Sequence, residues 1–517
     1  MDSNSSTFSW LLLLLVIVPI LPLLPLLFTK YQKRRARPAK LPPGPRKLPV
    51  IGNLHQLRKL PHRDLWLLSK MYGPLIYLQL GHVPTLIVSS AAMAREVMKS
   101  NDLDLCTRPP LVSFKKLSYS YSDVAFVPYG EYWREMKKIC IVELFSTKRV
   151  QSFAYIREEE VAEMMRSIAR SSSCCRSINL SEMLVSLTNN IICKAAFGKS
   201  FEGGSKHEQM EFHRAIREAG AMLGGFFIED FLPLMGWMDV LIGLRGRLER
   251  CFLKLDAFYE RVIDEHLRCD GAKLDREDFV HVLLQVQKES SLTKDQMKGI
   301  LMNILIGGTD TSSTSVVWAM AELLRNPKTM AKAQDEVRTI VGRKGKVDEK
   351  DLHQLQYLKS IIKETLRLHP PAPLLIPRES MRQCSIGGYE VAPKTRFYIN
   401  AFAIGRDPMS WENPEEFFPE RFMGSSIDYK GQDFKLVPFG AGRRSCPGML
   451  FGTVTIELTL ANLLYSFNWE LPAGLVKENM DMNEAFGIIV HKESALQVVP
   501  VAGPAPWLSG GETLFQD

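Results

Sequence analysis

Cys446 stands in the segment PFGAGRRSCPGMLFG, residues 438–452, directly ahead of an apolar run with helical character. A glycine-rich loop there brings a thiol to a helix N-terminus, where the positive end of the dipole and free N–H groups favour a thiolate. Gly442 and Gly448 permit turns and the close approach of a flat ligand. Arg444 is a fixed cation suited to a carboxylate. Such a sulfur is a nucleophile, a metal ligand or a buried thiol, and no local histidine supplies the base a hydrolase would want. A second group of chemical residues interrupts ILMNILIGGTDTSSTSVVWAM, residues 300–320. Gly307 and Gly308 are followed by Thr309, Asp310 and Thr311, although glycine costs about 1 kcal/mol against alanine inside a helix. Close packing would explain the glycines, but it does not call for an acid beside a threonine.

These residues need rigid elements to position them. Thr293 and Gln296 have the spacing of a capping box, and Asn326-Pro327 marks a stop. The helix between them is about 30 residues, or roughly 45 Å, long. It spans a whole domain, so its middle belongs to the core. In KETLRLHPPAP, Glu364 and Arg367 are three apart and share a helix face. Short strands are expected within residues 74–90, 385–391 and 395–401, and mostly helix from about 91 to 370. The fold class is mainly α, one large domain with small β-sheets.

Composition narrows the function. The 517 residues are 46% hydrophobic and 24% charged, ordinary for a large folded core. Nine scattered cysteines without a CxxC pair suggest neither a disulfide framework nor a zinc site, and are expected to be reduced thiols. The net charge of +8 is confined to residues 30–47; without their eight Lys and Arg, 57 basic residues face 57 acidic ones. No nucleic-acid partner is therefore implied. Residues 8–28 are apolar without a charge, which suits one bilayer span, and the flanking basic run places the N-terminus in the lumen and the remainder in the cytoplasm. A cleaved signal would want a basic start and small residues at the cut, so a retained anchor is expected. The chain divides into an anchor at 1–29, a basic and proline-rich hinge at 30–53, a catalytic domain at 54–500 and a tail at 501–517.

The series Phe439-x-x-Gly442-x-Arg444-x-Cys446-x-Gly448, preceded by GGTDTS, KETLR and Pro419-Glu420-Arg421-Phe422, resembles the cytochromes P-450. The likeness is to plant microsomal A-type haem-thiolate monooxygenases and runs from residue 8 to about 500. It implies the P-450 fold behind a single N-terminal transmembrane helix, in the endoplasmic reticulum membrane. It implies heme b, with Cys446 as the axial iron ligand, pushing electron density to favour O–O cleavage, and Phe439 beside the sulfur. Trp133, Lys137, Arg378 and Arg444 become candidates for the haem propionates; the family more usually has arginine at position 137. Glu364, Arg367 and Arg421 become a buried structural network behind the haem loop. Thr311 would present a hydroxyl to the oxygen being reduced, Asp310 would relay protons, and the glycines would let the helix backbone open. The reaction class is RH + O2 + two electrons + two protons giving ROH and water. No flavin or NADPH fingerprint is found, so electrons would come from a separate NADPH-cytochrome P-450 reductase, with cytochrome b5 as a second donor. Arg134, Lys138 and Arg443 are candidate docking cations. Leu305, Ile306, Ala372, Leu375, Ile376, Phe486, Ile488 and Ile489 fall in the family's substrate regions and suit a small lipophilic substrate. A terpenoid is the first reading, an alkaloid or phenylpropanoid the alternative. A haem-thiolate isomerase or dehydratase is the other enzyme class, although such enzymes usually lack the acid–threonine pair.

Overall fold

The structure, a computed structural model, describes residues 40–172, 176–199, 206–268, 276–290 and 292–503. The expected anchor at 8–28 and the tail from 504 onward lie outside the described residues. In chain order, α1 (Pro61–Tyr72) leads to β1 (Leu75–Leu80) and β2 (Val83–Val88). Helices α2 (Glu131–Ile139), α3 (Leu180–Phe197), α4 (Lys206–Leu223), α5 (Leu244–Arg268) and α6 (Phe279–Glu289) precede the long α7 (Lys294–Arg325). Then come α8 (Gln356–Leu368), β3 (Arg378–Glu379), β4 (Arg396–Ile399), α9 (Met449–Ser466), β5 (Glu484–Ala485) and β6 (His491–Lys492). The main sheet has the order β1-β2-β4-β3, with β2 and β4 parallel and the other pairs antiparallel. The segment 385–391 forms its own hairpin, turning at Gly387 and Gly388 in the left-handed region.

The capping box forms as expected. Thr293 Oγ1 accepts from Gln296 N at 3.3 Å, and Gln296 Oε1 accepts from Thr293 N at 2.7 Å. From there α7 runs unbroken to Asn326, packed chiefly on α3 and α9. The expected opening of the backbone at Gly307-Gly308 is not seen; the helix stays α-helical through both. The hydroxyls that looked unsuited to it donate back one turn, Thr309 to Leu305 O, Thr311 to Gly307 O and Ser313 to Thr309 O. Each polar group is thereby satisfied without leaving the helix.

Among the described residues α9 alone has the length and hydropathy of a membrane span, but 72% of it is buried in the protein. It is a core helix, apolar on every side because protein surrounds it. The proline-rich segment is extended but not free. Tyr77 N donates to Pro43 O, Asn53 N donates to Gln79 O, and a Cβ on Gly44 would stand 2.1 Å from Tyr77 O. Residues 43–53 thus cover the edge of β1, which would otherwise expose unpaired backbone groups.

Candidate functional site

The loop before α9 is held from several directions. Cys446 N donates to Phe439 O at 3.0 Å, and Gly440 and Gly442 take φ near +70°. Gly442 is the position that tolerates nothing larger, because an added Cβ would stand 2.2 Å from Met98 O. Asp102 ties the loop down, accepting from Arg443 N and Arg443 Nη1 at 3.0 Å each and from Arg378 Nη1 at 2.7 Å. Arg378 Nη2 donates to Ala441 O and Lys137 Nζ to Ser445 O. The result is a thiol fixed on the wall of a cavity of about 310 Å³, with Phe439, Gly448, Phe145 and Phe451 around it. The Cys446 residue is open to that cavity although protein encloses it. Burial pushes the thiol above its ordinary value, opposed by the Gly448 N–H and by Lys137. The helix end therefore does not make a thiolate unaided; a bound metal cation would.

One side of the cavity gathers cations. Lys137, Arg378 and Arg444 line it with Trp133, whose indole lies 4.5 Å from the Arg444 guanidinium and donates to Val124 O. Arg444 donates to the carbonyls of Cys106, Val124 and Val127. Arg108, which sequence reasoning missed, joins them, donating to the carbonyls of Ala125, Ile376 and Pro377. Burial, then repulsion from Arg444 and Arg378, holds the Arg108 guanidinium well below its usual range. Burial takes Arg444 down to about 10 and lowers Lys137. The nearby carboxylates are committed: Asp102 to the loop, Asp123 to Asn303 and the N–H groups of residues 125–127. Four partly uncompensated cations beside a thiol in an apolar cavity are a donor set for a planar metal chelate carrying two carboxylates. A haem, with iron for the sulfur and propionates for the cations, fits it.

Across the cavity stands α7. Ile300, Ile304, Gly307, Thr311 and Ser315 face it, at helical spacing. The two glycines divide their tasks. A Cβ on Gly307 would meet nothing within 4 Å, whereas one on Gly308 would stand 2.4 Å from Ile192 Cδ1 of α3. Gly307 opens the cavity wall and Gly308 lets two helices touch. Asp310 is buried and does not line the cavity with Thr311. It faces α4, where a Cβ on Gly220 would be 3.7 Å from its Oδ2, and its charge acts on His491, whose Nδ1 is 2.7 Å from Thr314 Oγ1.

The substrate candidates separate in the same way. Ala372, Leu375 and Ile376 line the cavity. Leu305 and Ile306 are buried but line neither this cavity nor its neighbour; the helix phase gives those places to Ile304 and Gly307. Phe486 and Ile488 line the neighbour, a space of about 460 Å³ beneath α1 and the chain after α4. Ile489 is buried outside both. Leu375, at φ +51°, is the residue that borders both cavities.

Behind the loop, Glu364 is fully buried and takes Arg367 Nε at 2.6 Å and Nη2 at 2.8 Å, Arg421 Nε at 3.0 Å and Phe418 N at 2.8 Å. Arg367 also donates to the carbonyls of Gly405, Pro414 and Glu416, and Arg421 to those of Glu412 and Asn413. Every strong donor has an acceptor, so the network joins α8 to Gly405 and to the chain at 412–421.

The Cytochrome P450 family profile matches residues 42–498. The chain belongs to the cytochrome P450 family. Curated relatives include plant proteins: Cytochrome P450 71A1 of Persea americana is 53% identical over 87% of this chain and 91% of its own length. Strychnine-11-hydroxylase of Strychnos nux-vomica is 52% identical over 89% of this chain and 91% of its own. Solved structures of a zebra fish cytochrome P450 with abiraterone and with progesterone superpose with TM-scores of 0.72 and 0.73 at 26% identity, each covering 86% of this chain. This P450 is thus an oxidoreductase of the plant A-type group. Family membership carries with it a heme b cofactor, O2 and electrons delivered from NADPH by a reductase.

Proposed function

We propose that this P450 inserts one oxygen atom from O2 into a small lipophilic substrate held against the Thr311 face of α7. The observation that carries the reading is the sharing of one apolar cavity by the Cys446 thiol and the Thr311 hydroxyl, opposite a cluster of cations. When bound, the haem would supply the oxygen-activating iron, with Cys446 as its axial ligand and Arg108, Lys137, Trp133, Arg378 and Arg444 toward its propionates. The chain's own residues do the rest. Thr311 keeps its hydroxyl hydrogen on Gly307 O, 2.7 Å away, with the oxygen turned to the cavity. Asp310, one residue along but facing α4, gathers protons from the crevice shared with His491 and passes them to the Thr311 side. Ile300, Ile304, Ala372, Leu375 and Ile376 exclude water and hold an apolar skeleton. Thr311 in the cavity favours oxygenation over isomerisation, which needs no proton relay.

The substrate is read as a terpenoid or alkaloid skeleton. The apolar lining suits either, and the hydroxylase from Strychnos supports a polycyclic substrate. Electrons would reach the Cys446 side from a reductase docked on Arg134 and Lys138, exposed along one side of α2, and on Arg443, which Asp102 already neutralises in part. An endoplasmic reticulum anchor at 8–28 fits the exposed surface: Leu234, Trp237, Val240, Leu241 and Ile242 form an apolar patch, and Leu48 and Val50 another. The β1–β2 turn joins the two, Gly81 N bonding Ile51 O and His82 N bonding Phe231 O. The test is turnover of terpene and alkaloid panels with NADPH and reductase, read by mass spectrometry with ¹⁸O2. Product carrying one labelled oxygen is expected. Rearranged product without label or NADPH consumption would overturn the reading.

A further inference from the structure

Away from the cavity, His266 in the last turn of α5 meets Asp278 and His281 at the start of α6. One ligand atom from each lies within 4.8 Å of the other two. His266 Nδ1 is 2.7 Å from Val262 O, which can only accept, so the ring hydrogen belongs on Nδ1. The Nε2 lone pair of the neutral ring then points at Asp278 Oδ2, 2.9 Å away. Two electron-rich atoms so close need a cation between them, either a proton or a metal ion. His281 supplies an independent observation. Its Nδ1 lies 2.8 Å from Asp278 Oδ1, yet it is buried and has no hydrogen-bond partner, because the alignment is wrong. Both nitrogens face the same carboxylate, His266 Nε2 its Oδ2 and His281 Nδ1 its Oδ1.

We propose that His266 Nε2, His281 Nδ1 and Asp278 form a site for a divalent transition-metal ion, Zn²⁺ foremost. Two imidazoles and a carboxylate are borderline ligands of the kind that ion takes, with water free to complete a tetrahedron. Ligand atoms around zinc are about 3.3 Å apart when the bonds are 2.0–2.1 Å. On binding, the N···O separations of 2.9 and 2.8 Å would widen to that spacing, and the two nitrogens, within 4.8 Å of each other, would settle at it. Asp278 also caps α6, accepting from His281 N at 2.9 Å, so the backbone already holds two ligands in place. The site is unrelated to the haem pocket. A metal there would clamp the end of α5 to the start of α6.

The experiment uses the full-length haem-loaded protein with any affinity tag removed, stripped with chelator and then titrated with ZnCl2 by calorimetry. Metal content is measured after desalting. Stoichiometric zinc is expected, without binding of Mg²⁺ or Ca²⁺. His266→Gln and His281→Gln should each weaken binding by more than about tenfold, the lower end of what even an outer-shell partner costs. Both variants should keep the carbon-monoxide difference spectrum of the parent, which separates loss of zinc from misfolding. No stoichiometric zinc in the parent would show that a proton fills the gap, and equal binding in parent and both variants would place the ion elsewhere. Either result overturns the proposal.

Discussion

The two glycines of α7 give the most discriminating packing prediction, because the structure assigns them opposite environments. Alanine at either position gains about 1 kcal/mol of helix propensity. At Gly307 that gain stands alone, since a Cβ there meets nothing within 4 Å. At Gly308 the new methyl would lie 2.4 Å from Ile192 Cδ1 and 2.8 Å from Cγ1, in a buried contact between α7 and α3. Overpacking a core in this way costs about 1–3 kcal/mol. Gly308→Ala should therefore end between neutral and about 2 kcal/mol destabilised, and Gly307→Ala up to about 1 kcal/mol stabilised. Removing the nearer of the two obstructing carbons, Cδ1, by Ile192→Val costs about 0.5–1.5 kcal/mol alone. Combined with Gly308→Ala it should show a favourable coupling of at least about 0.5 kcal/mol. The assay is thermal unfolding of the full-length haem-loaded protein, followed by circular dichroism at one scan rate. Equal effects of the two alanines, or no coupling with Ile192→Val, would refute the division of labour. Gly307→Ala should also slow turnover of bulky substrates without any loss of stability.

Other expectations follow from the same geometry. Glu364→Ala leaves Arg367 buried without its carboxylate and should cost about 3–5 kcal/mol, read as a lower unfolding midpoint and faster haem loss to apomyoglobin; unchanged haem retention would contradict the network's role. Burial of Glu457 in α9 pushes its carboxyl up to about 7. The folded protein thus holds that proton more tightly than the unfolded chain, and stability falls as pH rises from about 4 to 7, by at most roughly 3–4 kcal/mol. Glu457→Gln should flatten this slope and be more stable than the parent at pH 8; a less stable variant there would reverse the sign. Thr311→Ala should leave the haem spectrum unchanged and raise peroxide released per NADPH consumed, and unchanged coupling would remove Thr311 from the relay.

What could be read from the sequence was local. Thr293 and Gln296 satisfy each other's backbone within one turn, so the start of α7 was visible in four residues. Gly442 and Cys446 sit in a loop whose conformation its own glycines dictate, and Glu364 and Arg367 are neighbours on one helix. What was hidden depends on long-range placement or helix phase. Because α7 is buried on nearly every side, its sequence carries no amphipathic stripe to show that Ile304 rather than Leu305 meets the cavity, or that Asp310 turns away from it. Arg108 looked like any charged residue beside prolines. Its role comes from Ala125, Ile376 and Pro377, which only the fold brings to it. The one available sign was an arginine in a stretch with no other charge, LCTRPPL at 105–111. Phe486 and Ile488 went to the second cavity because the segment between β5 and β6 is placed by contacts with the chain after α4, where Gly224 would strike Ile488 N if it bore a Cβ.

The central claim is that Cys446 holds the iron of a haem seated in this cavity. The direct measurement is the carbon-monoxide difference spectrum of the dithionite-reduced, haem-reconstituted protein. The account predicts a Soret band shifted far to the red, as thiolate ligation requires, and its loss in Cys446→Ser. A Soret band at the unshifted position in the parent, or a red-shifted one surviving in Cys446→Ser, would contradict it.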